Sequence, residues 1–123
     1  MNNTDAAVGE EQGYTCLHGS AFQGRGAVVR AVLASRFAAT VPNTRHDDGF
    51  APIHRACWGR ESRHADTVAA FLAAGVPHDL RADSGETPLD LARRSGNAAT
   101  VSVLETVAAM AAATAGGGEQ GDL

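Results

Sequence analysis

Two cysteines and five histidines are the residues of this chain that could bind a metal ion or act in catalysis. Cys16 precedes His18 by two positions, and His54 precedes Cys57 by three. Structural zinc sites normally use C-x2–4-C together with a second matching pair, a spacing that the chain does not contain. A cysteine nucleophile would need a base and an orienting third group, and none can be identified. We therefore predict no metal site, no cofactor and no enzyme activity, and we retain a metal- or redox-responsive site at these four residues as an alternative.

Composition narrows the class of protein. At 123 residues the chain has the length of one domain, and its net charge is −4. All the basic residues are arginines dispersed along the sequence, so we predict no nucleic-acid partner. No apolar run approaches the roughly 20 residues that span a bilayer, so we predict no membrane partner. The polar, acidic N-terminal segment differs from a signal peptide. Free cysteines without such a signal favour an intracellular, cytoplasmic protein, with a nuclear location also open.

A repeated turn organises the sequence. Gly13, Gly49 and Gly85 are each 36 residues apart. Glycine enters positive-φ turn conformations without steric cost. Pro52 and Pro88 follow the second and third glycines, and proline fits the first turn of a helix. A fixed period of 20 to 50 residues is typical of repeat architectures, so the chain is predicted to contain three similar units.

Each unit is predicted to contain two helices. In the first unit the turn 24–26 separates a short helix after Thr15 from a second helix over 27–35. In the second unit a helix over about 52–58 is followed by a polar loop, 59–64. Asp66 is expected to cap the next helix, which ends at Gly75.

The third unit completes the predicted all-α organisation. Its first helix covers 88–95, and its second continues into an alanine-rich segment. We predict a disordered acidic tail over 1–12, a repeat domain over 13–107, and a helix extension with a flexible Gly-rich tail over 108–123. The three repeats cover about 13–48, 49–84 and 85–107.

The openings of the three units carry a family resemblance. They read Thr15-Cys16-Leu17-His18, Ala51-Pro52-Ile53-His54 and Thr87-Pro88-Leu89-Asp90. These openings resemble the T-P-L-H-x-A motif of ankyrin repeats, whose period is near 33 residues. The resemblance implies a solenoid of helix–turn–helix repeats joined by β-hairpin-like fingers, in which the histidine after Leu is structural. The longer period implies extra residues at 36–48 and 59–64.

The resemblance also implies a binding surface. Residues aligned by the 36-residue interval match the variable concave positions of ankyrin repeats, and they include four of the chain's aromatic residues. Tyrosine, tryptophan and arginine are enriched at interface hot spots. In the alternative interpretation, Phe22 and Trp58 pack against the extended loops or a capping terminus. The predicted partner-binding residues are Tyr14, Phe22, Arg45, Phe50, Arg55, Trp58, Arg81 and Glu86.

These observations predict a non-catalytic protein–protein interaction module, an adaptor or scaffold, whose partner binds the concave face. The principal alternative is a dedicated subunit that inhibits or chaperones one partner. Membership of a larger complex also remains open.

Overall fold

The computed structural model describes residues 15–35 and 44–121, with the backbone alone described for 115–121. Within these ranges the chain forms helices and turns and no strand. Tyr14, the acidic segment 1–12 and residues 36–43 of the long connection lie outside the described residues. The helices are α1 (Cys16–Phe22), α2 (Gly26–Leu33), α3 (Pro52–Cys57), α4 (Ser62–Ala73), α5 (Pro88–Ser95) and α6 (Ala98–Gly121).

The helices stack in two layers. The first helices of the units, α1, α3 and α5, pack side by side, and the second helices, α2, α4 and α6, form the other layer. The fully buried Leu17 and Ile53 come from the first layer and pack with Val29, Val68 and Phe71 from the second. This arrangement confirms the prediction of an all-α solenoid of three two-helix repeats.

The first helices begin at the predicted 36-residue interval, at Cys16, Pro52 and Pro88. The preceding residue in each unit has an extended backbone and serves as N-cap. In the third unit the Thr87 hydroxyl accepts a hydrogen bond from the Asp90 backbone N–H at 3.2 Å. Such a bond satisfies one of the N–H groups that a helix start leaves unpaired.

Two hairpin-like fingers lie at the boundaries between units. We call residues 45–50 the first finger and 81–86 the second finger. In the first finger the His46 N–H donates to the Phe50 carbonyl at 2.9 Å. In the second finger the Ala82 N–H donates to the Glu86 carbonyl at 2.8 Å. Their turns contain Gly49 at φ +87° and Gly85 at φ +90°, as the sequence predicts.

The structure corrects the prediction for the segment between α3 and α4. Glu61, not Asp66, is the N-cap of α4, so residues 62–64 form a helical turn instead of a loop. The buried Val29 and Val68 of the second helices are 39 residues apart, whereas the buried Leu17 and Ile53 of the first helices are 36 residues apart. The three additional residues therefore extend α4 at its start, and this turn forms because His64 is buried against the first unit.

The last helix is longer than the sequence predicts. Helix α6 has 24 residues and continues to Gly121, past Gly116, where we predicted a flexible tail. Alanine has the highest helix propensity, so the alanine-rich segment favours continuation of the helix. Among the helices described, none is long and apolar enough to cross a membrane. The division into tail, repeat domain and extension stays a prediction.

Candidate binding surface

Three aromatic side chains from the first two units meet at one surface. Phe22 ends α1, Trp58 directly follows α3, and Phe50 ends the first finger. The Phe50 and Trp58 ring centroids are 5.0 Å apart at 71°, and those of Phe22 and Trp58 are 6.4 Å apart at 87°. These edge-to-face contacts are a favoured arrangement of aromatic rings. We call these three residues the aromatic cluster; Phe22 is 55% exposed, whereas Phe50 and Trp58 are half-buried.

Arg55 joins the aromatic cluster to the first finger. Its guanidinium carbon lies 4.7 Å from the centre of the Trp58 ring, within cation–π distance. Its Nη2 donates to Asp48 Oδ2 at 2.7 Å and to His46 Nδ1 at 2.6 Å. The side chain is only 12% exposed. Arg55 is therefore held in one orientation by an aromatic face and two acceptors.

A groove of about 300 Å³ opens between α1 and α3 beside these residues. We call it the α1–α3 groove; its lining consists of His18, Phe22, His46, Arg55 and Trp58. Burial lowers the pKa of His18 to about 4, so this ring is neutral at pH 7. Arginine can only donate, so His46 Nδ1 is the acceptor in its bond with Arg55. Arg55 supplies a permanent positive charge in this lining.

Two of the predicted partner-binding residues, Arg45 and Arg81, form hydrogen bonds within their own fingers. Arg45 Nη1 donates to the Gly49 carbonyl at 3.4 Å, and Arg81 Nη1 donates to the Gly85 carbonyl at 2.6 Å. The two bonds occupy equivalent places in the two fingers. Arg45 also forms an ion pair with Asp83 of the second finger, with 3.7 Å between Arg45 Nε and Asp83 Oδ1. These contacts stabilise the fingers, whatever further role the two arginines have in binding.

Glu86, another predicted partner-binding residue, forms an ion pair with Arg94 in α5, the first helix of the third unit. It also accepts a hydrogen bond from the Ser84 hydroxyl at 2.9 Å. The Arg94 side chain is exposed, and ion pairs at exposed positions contribute little to stability.

The structure brings together four of the predicted binding residues and adds two that the prediction omitted. Phe22, Phe50, Arg55 and Trp58 surround or adjoin the α1–α3 groove, while Arg45, Arg81 and Glu86 lie on the fingers. Tyr14 lies outside the described residues. The omitted residues are His46 and Asp48, which position Arg55. Their charge at the finger tip was visible in the sequence, but their pairing depends on how the finger folds against α3.

The histidines in the openings of the first two units, His18 and His54, are structural, as the family resemblance implies. His18 Nδ1 accepts from the Thr15 N–H at 3.1 Å, and its Nε2 donates to the Phe50 carbonyl at 2.9 Å. In the same way, His54 Nδ1 accepts from the Ala51 N–H at 3.0 Å, and its Nε2 donates to the Leu80 carbonyl at 2.8 Å. A carbonyl only accepts, so Nε2 carries the proton in both rings. Burial lowers the pKa of His54 as it does that of His18.

A third histidine, His64, also links two units through both ring nitrogens, but it bonds to the preceding unit. His64 Nδ1 accepts from the Glu61 N–H at 3.3 Å, and its Nε2 donates to the Phe22 carbonyl of the preceding unit at 2.9 Å. Asn97 likewise reaches back from the third unit and donates to the Gly59 and Glu61 carbonyls at 3.1 and 3.0 Å. The sequence reasoning missed His64, although its position three residues after the N-cap matches that of His54.

The cysteines and histidines do not converge on a common site. His18 and His54 use both ring nitrogens in hydrogen bonds, so a metal ion would have to replace those bonds. Burial raises the pKa of the Cys57 thiol to about 12, while Cys16 is exposed. In residues 15–35 and 44–121, no three His, Cys, Asp or Glu side chains form a group that could hold a metal ion. The geometry therefore lends no support to the metal- or redox-responsive alternative.

Comparisons with known proteins agree with this architecture. No family model matches the chain, and no curated protein matches it. Among solved structures it is similar to an ankyrin repeat domain from Acinetobacter baumannii, with 29% sequence identity and a TM-score of 0.67. The match covers 77% of this chain and 48% of that one, so the chain spans about half the length of the solved domain. Two stacked helical layers, a repeated finger and this likeness together identify the chain as an ankyrin-like repeat protein.

Proposed function

We propose that this chain is a non-catalytic adaptor that binds a protein partner on the concave surface formed by its first helices and fingers. The observation that carries the proposal is the aromatic cluster, which remains accessible at the α1–α3 groove. Aromatic and arginine residues that a partner buries, with polar groups around them, are the usual anchors of protein interfaces. Trp58, Phe22 and Arg55 match that description.

The rigidity of this surface supports the same function. Arg55 is held by Asp48, His46 and the Trp58 ring before any partner arrives. Side chains that are already ordered lose less conformational entropy on association. A partner binding here would therefore retain more of the interaction energy than one binding to mobile side chains.

A dedicated regulatory subunit is a narrower form of this proposal. An inhibitory or chaperone-like subunit would use the same surface but would bind a single partner. Affinity capture distinguishes the two roles, because an adaptor recovers several proteins through the aromatic cluster and a dedicated subunit recovers one.

The proposal predicts that Trp58→Ala weakens partner binding by about 2 kcal/mol or more, the scale of an interface hot spot. Trp58 is half-buried at the surface, so the variant should keep its helical circular dichroism. Affinity capture followed by titration of the captured protein measures the effect. Met110→Ala is the matched control, because Met110 is 61% exposed and lies on α6, away from the groove.

Two results would contradict the proposal. In the first, Trp58→Ala and Phe22→Ala both fold and both retain the partner with unchanged affinity. In the second, Trp58→Ala unfolds the protein, which would make the cluster a part of the core.

A further inference from the structure

Arg55 has hydrogen-bonding capacity that the described residues do not use. A guanidinium group carries five N–H donors. The bonds to Asp48 and His46 both come from Nη2. No acceptor among the described residues bonds Nε, which is buried. Arg55 is thus fixed in place through Nη2, while its Nε–H lacks an acceptor in the described part of the chain.

The charge in the groove beside the Arg55 guanidinium group favours binding of an anion. The protein has a net charge of −4, yet the one lining residue of the α1–α3 groove that is always charged is Arg55, whose charge is positive. Asp48 of the first finger offsets that charge, because its Oδ2 accepts a hydrogen bond from Arg55 Nη2. The Asp48 side chain is 41% exposed. A carboxylate is the acceptor that forms the strongest hydrogen bonds with an arginine N–H, because both groups are charged.

The apolar walls of the groove favour a different group beside that anion. The Phe22 and Trp58 rings stand nearly perpendicular at 87°, so they present a corner to an incoming side chain. The groove volume of about 300 Å³ is at the lower limit for small-molecule sites. This space suits one or two side chains of a peptide better than a bulky cofactor.

We infer that the α1–α3 groove binds a partner segment in which a large apolar side chain is adjacent to an aspartate or glutamate. The apolar side chain contacts Phe22 and Trp58, and the carboxylate accepts hydrogen bonds from Arg55. This inference rests on the proposed function and specifies the chemistry of the partner.

The test is selection from a displayed library of random dodecapeptides on the 123-residue chain. The selected peptides should be enriched in Asp or Glu next to Leu, Phe or another large apolar residue. Trp58 is the single tryptophan, so its fluorescence reports occupation of the groove as a synthetic peptide is titrated. Replacing the acidic residue of that peptide with Asn or Gln should raise Kd about tenfold or more, since bonds to charged groups are the strong ones.

A protein variant tests the same contact from the other side. Arg55→Met should raise Kd for the acidic peptide about tenfold and should remove its preference over the amide peptide. Arg93→Met is the matched control, because Arg93 is exposed and pairs with Glu105 outside the groove. The peptide substitution requires no change to the protein, so the comparison remains decisive even if Arg55→Met fails to fold.

The outcomes separate this inference from the proposed function. Selected peptides that lack acidic residues but lose binding to Trp58→Ala would overturn the inference and leave the proposed function standing. An empty selection, or a dimer in sedimentation experiments that Trp58→Ala dissociates, would also overturn the inference. Peptides that bind equally well to the wild type, Trp58→Ala and Phe22→Ala would contradict both.

Discussion

Acidification should destabilise this protein through His18, and the size of the effect follows from the environment of the ring. Burial lowers its pKa from 6.5 to about 4 in the folded protein. Between these values the unfolded chain binds a proton that the folded chain does not, so the free energy of unfolding falls as pH falls. Each pKa unit corresponds to about 1.4 kcal/mol, so this one histidine should remove about 3 kcal/mol between pH 7 and pH 4.

The protonated ring would also lose a specific contact. His18 Nδ1 accepts from the Thr15 N–H, and a proton on that nitrogen would put two donors face to face. His54 has the same geometry and a lowered pKa, so it adds to the loss in the same pH window. The stabilisation from both residues should be fully present above about pH 6.5, the reference pKa of histidine.

Urea unfolding followed by circular dichroism at intervals between pH 7 and pH 4 measures the effect. His18→Asn is the control, because its side-chain oxygen can accept from the Thr15 N–H as Asp90 accepts from Thr87 in the third unit. The variant should be less stable at pH 7, because the Phe50 carbonyl loses its donor. Its stability should nevertheless fall by about 3 kcal/mol less over the same pH range.

Two observations would refute this reasoning. The first is the same dependence of stability on pH in the wild type and in His18→Asn. The second is a His18 ring that titrates near pH 6.5 in NMR spectra of the folded protein. The NMR titration requires no variant, so it decides the question even if His18→Asn does not fold.

Two further predictions concern the finger turns and the thiols. Gly49→Ala should lower the free energy of unfolding by at least about 1 kcal/mol more than Gly85→Ala. Both glycines have positive φ, but a Cβ at Gly49 would lie 2.5 Å from Asp83 Cβ, whereas one at Gly85 meets nothing within 4 Å. Equal losses in urea unfolding would contradict the close approach of the fingers. In folded protein at pH 8, iodoacetamide should modify the exposed Cys16 and leave Cys57 unreacted, because burial raises the pKa of Cys57 to about 12. Mass spectrometry locates the label, and equal labelling of both residues would show that Cys57 is accessible.

Much of the fold could be predicted because its determinants are local. Gly49 and Gly85 occupy positive-φ turns for a steric reason that acts within one residue. Pro52 and Pro88 begin helices because the first turn does not need their missing N–H groups. In a solenoid each unit packs mainly against its neighbours, so a constant interval between such signals is enough to predict the stack.

The candidate site could be predicted in part. Phe22 and Trp58 are 36 residues apart, and their rings lie side by side because equivalent positions of stacked units are neighbours. Phe50 belongs to another set of aligned positions, and its contact with Trp58 depends on how the first finger folds. The partners of Arg55 could not be assigned, since its bonds to His46 and Asp48 require the first finger to fold back beside α3.

Residues 59–64 show where the sequence alone misleads. Their polarity indicates a loop, and an isolated segment of this composition would have no reason to bury a histidine. In the folded stack the Phe22 carbonyl of the first unit lies within 2.9 Å of His64 Nε2, and residues 62–64 become the first turn of α4. The sequence by itself determined the repeat, its turns and its helix starts, because these depend on backbone sterics and periodicity. Tertiary structure alone decided which polar side chains are buried between units and which lie at the groove, because that depends on hydrogen-bond partners supplied by neighbouring units.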